Sequence, residues 1–284
     1  MFRRSLPRLL QLSTRTLPPN SPPTPRTLVV LHGLLGSSQN FLSPTKSILK
    51  ELGPEWSAVL LDIRGHGTSP PGSPCTILDA ASDVHSTLTS LSISPTAVIG
   101  HSLGGKIALQ YLSISPSPPL KTWSLDSFPL PLPRPPPIPG DNSVASILSA
   151  VSTCPRTFSS KSDLIKTLTE DHLLQPSIAM WMTTNLKRFE TGRFEFTFDV
   201  ETCNNLYDSF TVEDLTDVLR DSQEDVTLLK AERNEVWEGI EEERLTGGNE
   251  RVKVRTLEDS GHWVHVDNPK RLVEMICEDL KSIP

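Results

Sequence analysis

The segment Ala97-Val98-Ile99-Gly100-His101-Ser102-Leu103-Gly104-Gly105 constrains this chain more than any other. Three apolar residues run into Gly-x-Ser-x-Gly, and Lys106-Ile107-Ala108-Leu109-Gln110 continues with helical spacing. The pattern predicts a strand, a tight turn with serine at its apex, and a helix. Glycine at 100 and 104 suits a strand and a helix so close that side chains there would collide. Such a turn strains the serine backbone and pushes Ser102 Oγ into the open as a nucleophile. The Leu103 N–H then points to where an oxyanion would form.

Two further segments fall in the chain order that this chemistry needs. Leu28-Val29-Val30-Leu31 reads as a strand that ends in His32-Gly33-Leu34-Leu35-Gly36. The loop after it is expected to supply the second oxyanion donor, from Leu34. Losing one such donor typically costs about 3–4 kcal/mol in the barrier. His32 is expected to brace that loop. Near the C-terminus, the alternating strand Val252–Leu257 precedes Glu258-Asp259-Ser260-Gly261-His262-Trp263-Val264-His265. His262 is the expected general base. His265 stands at the entry to a last helix and is expected to be structural.

The motifs His-Gly-Leu-Leu-Gly-Ser-Ser-Gln-Asn-Phe (32–41), Asp-Ile-Arg-Gly-His-Gly-Thr-Ser (62–69), Gly-His-Ser-Leu-Gly-Gly-Lys (100–106) and Gly-His-Trp-Val-His (261–265) resemble the α/β-hydrolase superfamily. Within it they are most similar to the branch of the YbfF esterase and abhydrolase domain-containing protein eleven. The resemblance spans roughly residues 27–284 and is loose from about 130 to 225. It implies an α/β fold with a mostly parallel sheet, helices on both faces and an inserted cap. It also implies a serine hydrolase that cleaves an ester or thioester through an acyl-enzyme.

The acid of the triad has two candidate places. One is the loop after the next-to-last strand, where Arg233 holds the usual aspartate slot between Glu232 and Glu235. The other is Asp126, at the end of the strand that follows the elbow helix. The resemblance favours Asp126. A carboxylate is needed to hold the histidine tautomer and to stabilise the imidazolium.

Strands are expected at 27–31, 57–62, 96–101, 120–126, 225–230 and 251–257. Helices are expected near 40–52, 76–91, 103–114 and 268–281. Alternating elements of this kind form a parallel sheet covered on both faces. The core is thus read as 27–126 and 223–284, and residues 127–222 as a cap or lid. The insertion opens with prolines at 129, 131, 133, 135, 136, 137 and 139, a stiff extended connector. Helical patterns follow near 142–151, 160–170 and 175–188, with a short strand in Arg193–Phe198. Its aromatic residues and methionines are expected mostly to pack, with a minority lining an acyl pocket.

A net charge of −7 argues against nucleic acid as a partner. Cys75, Cys154, Cys203 and Cys277 have neither metal-ligand nor disulfide-framework spacing, so no metal and no cofactor are expected. Residues 1–26 carry Arg3, Arg4, Arg8, Arg15 and Arg26 with no acid, the composition of an organelle transit peptide, and are too short in apolar runs to span a bilayer. A mitochondrial destination is expected, ahead of chloroplast or cytoplasm. The usual hydrolase has two strands before the His-Gly strand, and little chain remains for them here. A second reading, also drawn from the resemblance, is a non-catalytic or slowly hydrolysing, chaperone-like binding protein of mitochondrial enzyme complexes, with a mitochondrial protein as partner.

Overall fold

The computed structural model describes residues 9–18, 25–138 and 140–284. Most of the expected presequence (1–8 and 19–24) and Pro139 lie outside the described residues. In chain order the core begins with β1 (Thr14–Leu17), β2 (Arg26–Leu31), α1 (Leu42–Leu52), β3 (Trp56–Leu61) and α2 (Ile77–Ser90). It continues through β4 (Ala97–His101), α3 (Leu103–Ile114) and β5 (Lys121–Leu125). The chain then forms α4 (Val144–Thr153), β6 (Thr157–Phe158), α5 (Lys161–Lys166), α6 (Pro176–Met182), β7 (Leu186–Arg188), β8 (Phe194–Phe196), α7 (Val200–Val212) and α8 (Thr216–Asp221). It closes with β9 (Asp225–Ala231), α9 (Glu242–Thr246), β10 (Val252–Leu257), α10 (Val264–Asp267) and α11 (Pro269–Leu280).

The main sheet has seven strands in the order β1-β3-β2-β4-β5-β9-β10, all parallel except β1. Both faces are buried, as the side-chain alternation of β2 requires. Leu28 and Val30 face α1 and α11, where Ile48, Leu272, Ile276 and Leu280 pack against them. Val29 and Leu31 face α2 and α3, against Val84, Leu88, Ile107 and Tyr111.

The N-terminal edge differs from expectation. The strand β1 lies inside 1–26 and pairs antiparallel with β3 from Thr14 opposite Leu61 to Leu17 opposite Ala58. The chain before it is fastened too. Leu10 N–H donates to Asp83 at 2.7 Å, Leu12 N–H to Thr87 Oγ1 at 2.9 Å and Ser13 N–H to Ser69 Oγ at 2.7 Å. Leu12 and Leu17 are buried. A cut after residue 26 would therefore remove a strand of the sheet.

Between β5 and β9 the chain builds its own apolar cluster around Leu148, Leu164, Leu168, Ile178, Met182 and Cys203, while Leu206 of α7 packs into the core against α2 and α3. Leu35, Leu34 and Trp263, from loops at the carboxyl ends of the strands, pack against the same cluster. A small sheet, β6-β8-β7, belongs to this segment. The helix expected over 175–188 ends at Met182, because Leu186–Arg188 pairs with Phe194–Phe196 as an antiparallel hairpin. The turn closes with Gly192 at φ 80°, where glycine is favoured.

Candidate active site

The elbow follows from close packing. A Cβ on Gly100 would lie 1.9 Å from the Gly104 carbonyl oxygen, and one on Gly104 would lie 2.6 Å from those of Leu31 and His32. With both Cβ atoms absent, α3 starts immediately after β4. Ser102 takes the turn at φ 52°, ψ −118°, a conformation that costs a non-glycine residue of the order of 1–3 kcal/mol. Its N–H donates to Leu125 O at 2.9 Å. The His-Gly loop lies against the same turn, since a Cβ on Gly33 would come within 3.3 Å of Ser102 Cβ. Among the described residues, neither the Leu34 N–H nor the Leu103 N–H donates to a protein acceptor. Leu103 is the first residue of α3, so its N–H is one of the donors that a helix start leaves free.

Asp126 leaves β5 at φ 44°, and its N–H donates to Leu229 O on β9 at 2.6 Å. Its carboxylate is buried and gathers four donors. His262 Nδ1 and Asn234 Nδ2 each lie 2.7 Å from Oδ2. Trp237 Nε1 donates to Oδ1 at 2.8 Å and the Ala231 N–H to the same oxygen at 3.0 Å. Burial opposes ionisation of Asp126. The hydrogen bonds from His262, Ala231 and Asn234 outweigh it and hold the carboxyl below the ordinary carboxylate range. The His262 side chain stays 36 % exposed, whereas that of Asp126 is fully covered. The histidine therefore spans a buried anion and an open face.

The alternative acids fall elsewhere. Glu232 accepts the Asp259 N–H at 2.9 Å, and Glu235 opens the short turn Glu235–Trp237. The His262 Nδ1 position is already filled by Asp126. The loop after β9 carries Asn234 and Trp237, which donate to the Asp126 carboxylate at the end of β5.

Four further histidines, His32, His66, His101 and His265, surround the site, and burial favours the neutral ring in each. His32 Nδ1 donates to Gly33 O at 2.7 Å and Nε2 accepts the Ile63 N–H at 2.9 Å. His66 Nδ1 donates to Arg64 O, and Nε2 accepts the Leu35 N–H at 3.1 Å. Burial, with His32 nearby, pushes His66 down to about 3. His101 Nε2 donates to the His262 carbonyl at 2.7 Å, which fixes the backbone of that residue. Burial first, then the neighbouring His262 and His265, drive His101 well below its ordinary value. His265 packs on Phe41 with ring centroids 4.4 Å apart, and burial lowers it to about 4.

The sequence reading did not find Asn234, Trp237 or His101 as site residues. Asn234 and Trp237 act across more than a hundred residues of chain, and no local pattern announces such a contact. His101 carries a readable signal, a ring beside the serine inside an apolar strand. A surface cleft of about 990 Å³ lies between α1, α11 and the Trp181–Trp263 pair. Ser102 is not on its wall; the cleft touches the site through Trp263 and His265. Among the described residues no helix is long and apolar enough to cross a membrane.

A family model described as the alpha/beta hydrolase fold matches residues 26–269. The chain belongs to the α/β-hydrolase family. It is 26% identical over 261 residues to the sn-1-specific diacylglycerol lipase ABHD11 of Xenopus laevis, covering 90% of this chain and 80% of that one. It is 25% identical over 255 residues to a putative esterase/lipase of Haemophilus influenzae, covering 88% and 81%. Among solved structures, a marine microorganism esterase matches with TM-score 0.79 at 21% identity, over 95% of this chain and 99% of that one. An esterase from Exiguobacterium antarcticum matches with TM-score 0.70 at 18% identity, over 98% and 100%. At these identities the solved structures speak for the fold. The Xenopus laevis relative carries the ABHD11 name of the branch to which the sequence motifs pointed.

Proposed function

We propose that this protein is a serine hydrolase of acyl esters or thioesters, working through Ser102, His262 and Asp126. The observation that carries the reading is the 2.7 Å contact of His262 Nδ1 with the buried Asp126 carboxylate, beside a serine held at positive φ. Asp126 keeps the proton on Nδ1, which leaves Nε2 as the base. Ser102 Oγ attacks the acyl carbon while Nε2 takes its proton. The Leu34 and Leu103 N–H groups receive the oxyanion. The tetrahedral intermediate collapses as His262 returns the proton to the leaving oxygen or sulfur. Water, deprotonated by the same nitrogen, then releases the acid and restores Ser102. The names of the relatives, lipase and esterase, support an ester as the bond cleaved. The segment 127–222 is read as the cap over this site.

Hydrolysis of p-nitrophenyl acyl esters of short and medium length tests the reading, together with labelling by a fluorophosphonate. Wild type should turn over and label, and Ser102→Ala should do neither. A wild type no faster than Ser102→Ala would overturn it and bring forward the chaperone-like binding role. A mitochondrial destination is proposed on the N-terminal composition alone. A leader that ended before Leu10 would leave in place the contacts of Leu10 and Leu12 with α2, of Ser13 with Ser69, and of Thr14–Leu17 with β3. N-terminal sequencing of protein recovered from fractionated cells tests both points.

A further inference from the structure

Four residues after Ser102, one turn into the elbow helix, Lys106 is completely buried. Among the described residues its ammonium forms no ion pair, and Glu213 and Asp214 act on it only at longer range. It donates to three backbone carbonyls: Leu130 at 3.0 Å, Phe210 at 2.8 Å and Glu213 at 2.6 Å. It also lies 4.7 Å from the centre of the Phe210 ring. These carbonyls belong to the two ends of the inserted segment. Leu130 is where the chain leaves the core, and Phe210 and Glu213 are where α7 returns to it. The two ends also bond each other, Leu132 N–H to Thr211 O at 2.8 Å and Leu215 N–H to Pro129 O at 3.0 Å. Together they form a neck, and a single cation fills its base. A cation there also suits the carbonyl end of α7.

We propose that Lys106 is a positioning residue that ties the neck of the insertion to the elbow helix, and that the neck opens for acyl substrate by releasing this ammonium to water. The substrate class rests on the esterase reading above; the motion does not.

The charged groups around the neck are few. Glu213 and Asp214 act on Lys106 and favour its charge. Asp217 and Asp221 of α8 are exposed and paired with Arg220, and Asp208 of α7 is exposed and paired with Arg134. On α2, Asp83 is bound to Arg64 and His85 stands against Tyr111. Burial dominates over Glu213 and Asp214 and brings Lys106 down from 10.5 to about 8 in the closed neck. An open, hydrated lysine returns to the ordinary value. The open state therefore holds the proton more tightly. Raising the pH above about 8 favours the closed neck, by up to about tenfold per unit until the ordinary lysine value is reached.

The test is amide exchange of the full chain, corrected for the intrinsic pH dependence, at about pH 7 and about pH 9.5. In wild type, protection of 200–213 should rise relative to α11, by up to about 30-fold for one proton over that interval. Over the same interval KM for a medium-chain p-nitrophenyl ester should rise several-fold with kcat little changed. Lys106→Arg keeps the donors and never loses its charge, so its protection ratio and KM should be flat with pH. Lys106→Met should lower α7 protection at every pH. If α7 and α11 keep a constant ratio in wild type, the proposal is refuted, and this holds even where a variant fails to fold. A wild type without esterase activity would remove the substrate assignment and leave the exchange result to decide the latch.

Discussion

Asp126→Asn separates the two acid positions, and the donors around the carboxylate set its magnitude. An asparagine carries one oxygen and one NH₂ group where the aspartate carries two acceptors. Oδ1 receives the Trp237 indole and the Ala231 N–H, both of which can only donate. Oδ2 receives Asn234, whose amide can turn over, and His262, which can change tautomer. The amide oxygen of the variant therefore stays with Trp237 and Ala231, and its NH₂ turns toward His262. Nδ1 must then accept, so the ring proton moves to Nε2 and the base is lost.

A tautomer inversion of this kind costs about 10⁴ in kcat, close to 5.4 kcal/mol of barrier at 1.36 kcal/mol per tenfold. The assay is p-nitrophenyl ester hydrolysis by the full chain at neutral pH, normalised to correctly folded protein by circular dichroism. Glu232→Gln, measured beside it, should leave the rate unchanged, because Glu232 holds only the Asp259 N–H. An Asp126→Asn rate within about tenfold of wild type would refute the argument, since the inverted tautomer leaves no base at Nε2.

Trp237→Phe keeps an aromatic edge against Phe128 and removes one donor from the buried anion. It should cost up to about 1.5–3 kcal/mol near neutral pH. Asp126 is depressed below its ordinary value of 3.8, so its contribution exists above that value and is lost as pH falls through its folded value. The Tm difference from wild type should accordingly shrink in acid, and a constant difference would count against the assignment. Arg64→Met breaks the fully buried pair with Asp83, Nε to Oδ2 at 2.7 Å, and should cost about 3–5 kcal/mol by urea unfolding. Burial, only partly opposed by the Leu10 N–H and Arg64, already raises Asp83, so the loss should ease on acidification as the carboxyl protonates. Deleting residues 1–17 removes β1 with buried Leu12 and Leu17, which at about 1.5–3 kcal/mol per leucine predicts a loss of about 3–6 kcal/mol. Deleting residues 1–8 leaves that strand in place, and equal Tm values for the two truncations would refute a role for β1 in the fold.

Much of the fold is legible because its signals are local. The run into Gly100-His101-Ser102 and the Cβ-free approach of Gly100 to Gly104 are properties of neighbouring residues. The edge strand was hidden by composition. Arg15 and the serine and threonine residues of 1–26 read as presequence, whereas Thr14–Leu17 satisfies the open edge of β3. The hairpin of Leu186–Arg188 was hidden because Met180-Trp181-Met182 continues a helical pattern up to it, and only pairing with Phe194–Phe196 decides where that helix stops. The Lys106 contacts were hidden for the same physical reason as Asn234 and Trp237. Their partners lie far along the chain and are reached only when the insertion returns to the core.

The approach of Asp126 to His262 has a geometric cause in the sheet. In the parallel ladder His101 stands opposite Leu125, so Ser102 and Asp126 leave neighbouring strands at the same level. Leu125 in turn stands opposite Leu229 on β9. Ser102 donates its N–H to Leu125 O and Asp126 donates its own to Leu229 O, so each of the two is pinned to the next strand across. Both take positive φ, which turns them away from the ladder at the sheet's carboxyl edge. Asp126 is then one strand away from the loop after β9, and its carboxylate meets the Ala231 N–H there. An acid from either strand would reach the same His262 nitrogen. With Asp126 in that space, the β9 loop is relieved of supplying a carboxylate, and Asn234 and Trp237 contribute donors in its place. Moving the acid back therefore requires two changes at once. Asp126→Asn with Asn234→Asp should recover part of the rate lost by Asp126→Asn alone, because a carboxylate at 234 would again face His262 Nδ1. No recovery in the double variant would mean that the β9 loop cannot bring position 234 to the histidine without the original network around Asp126.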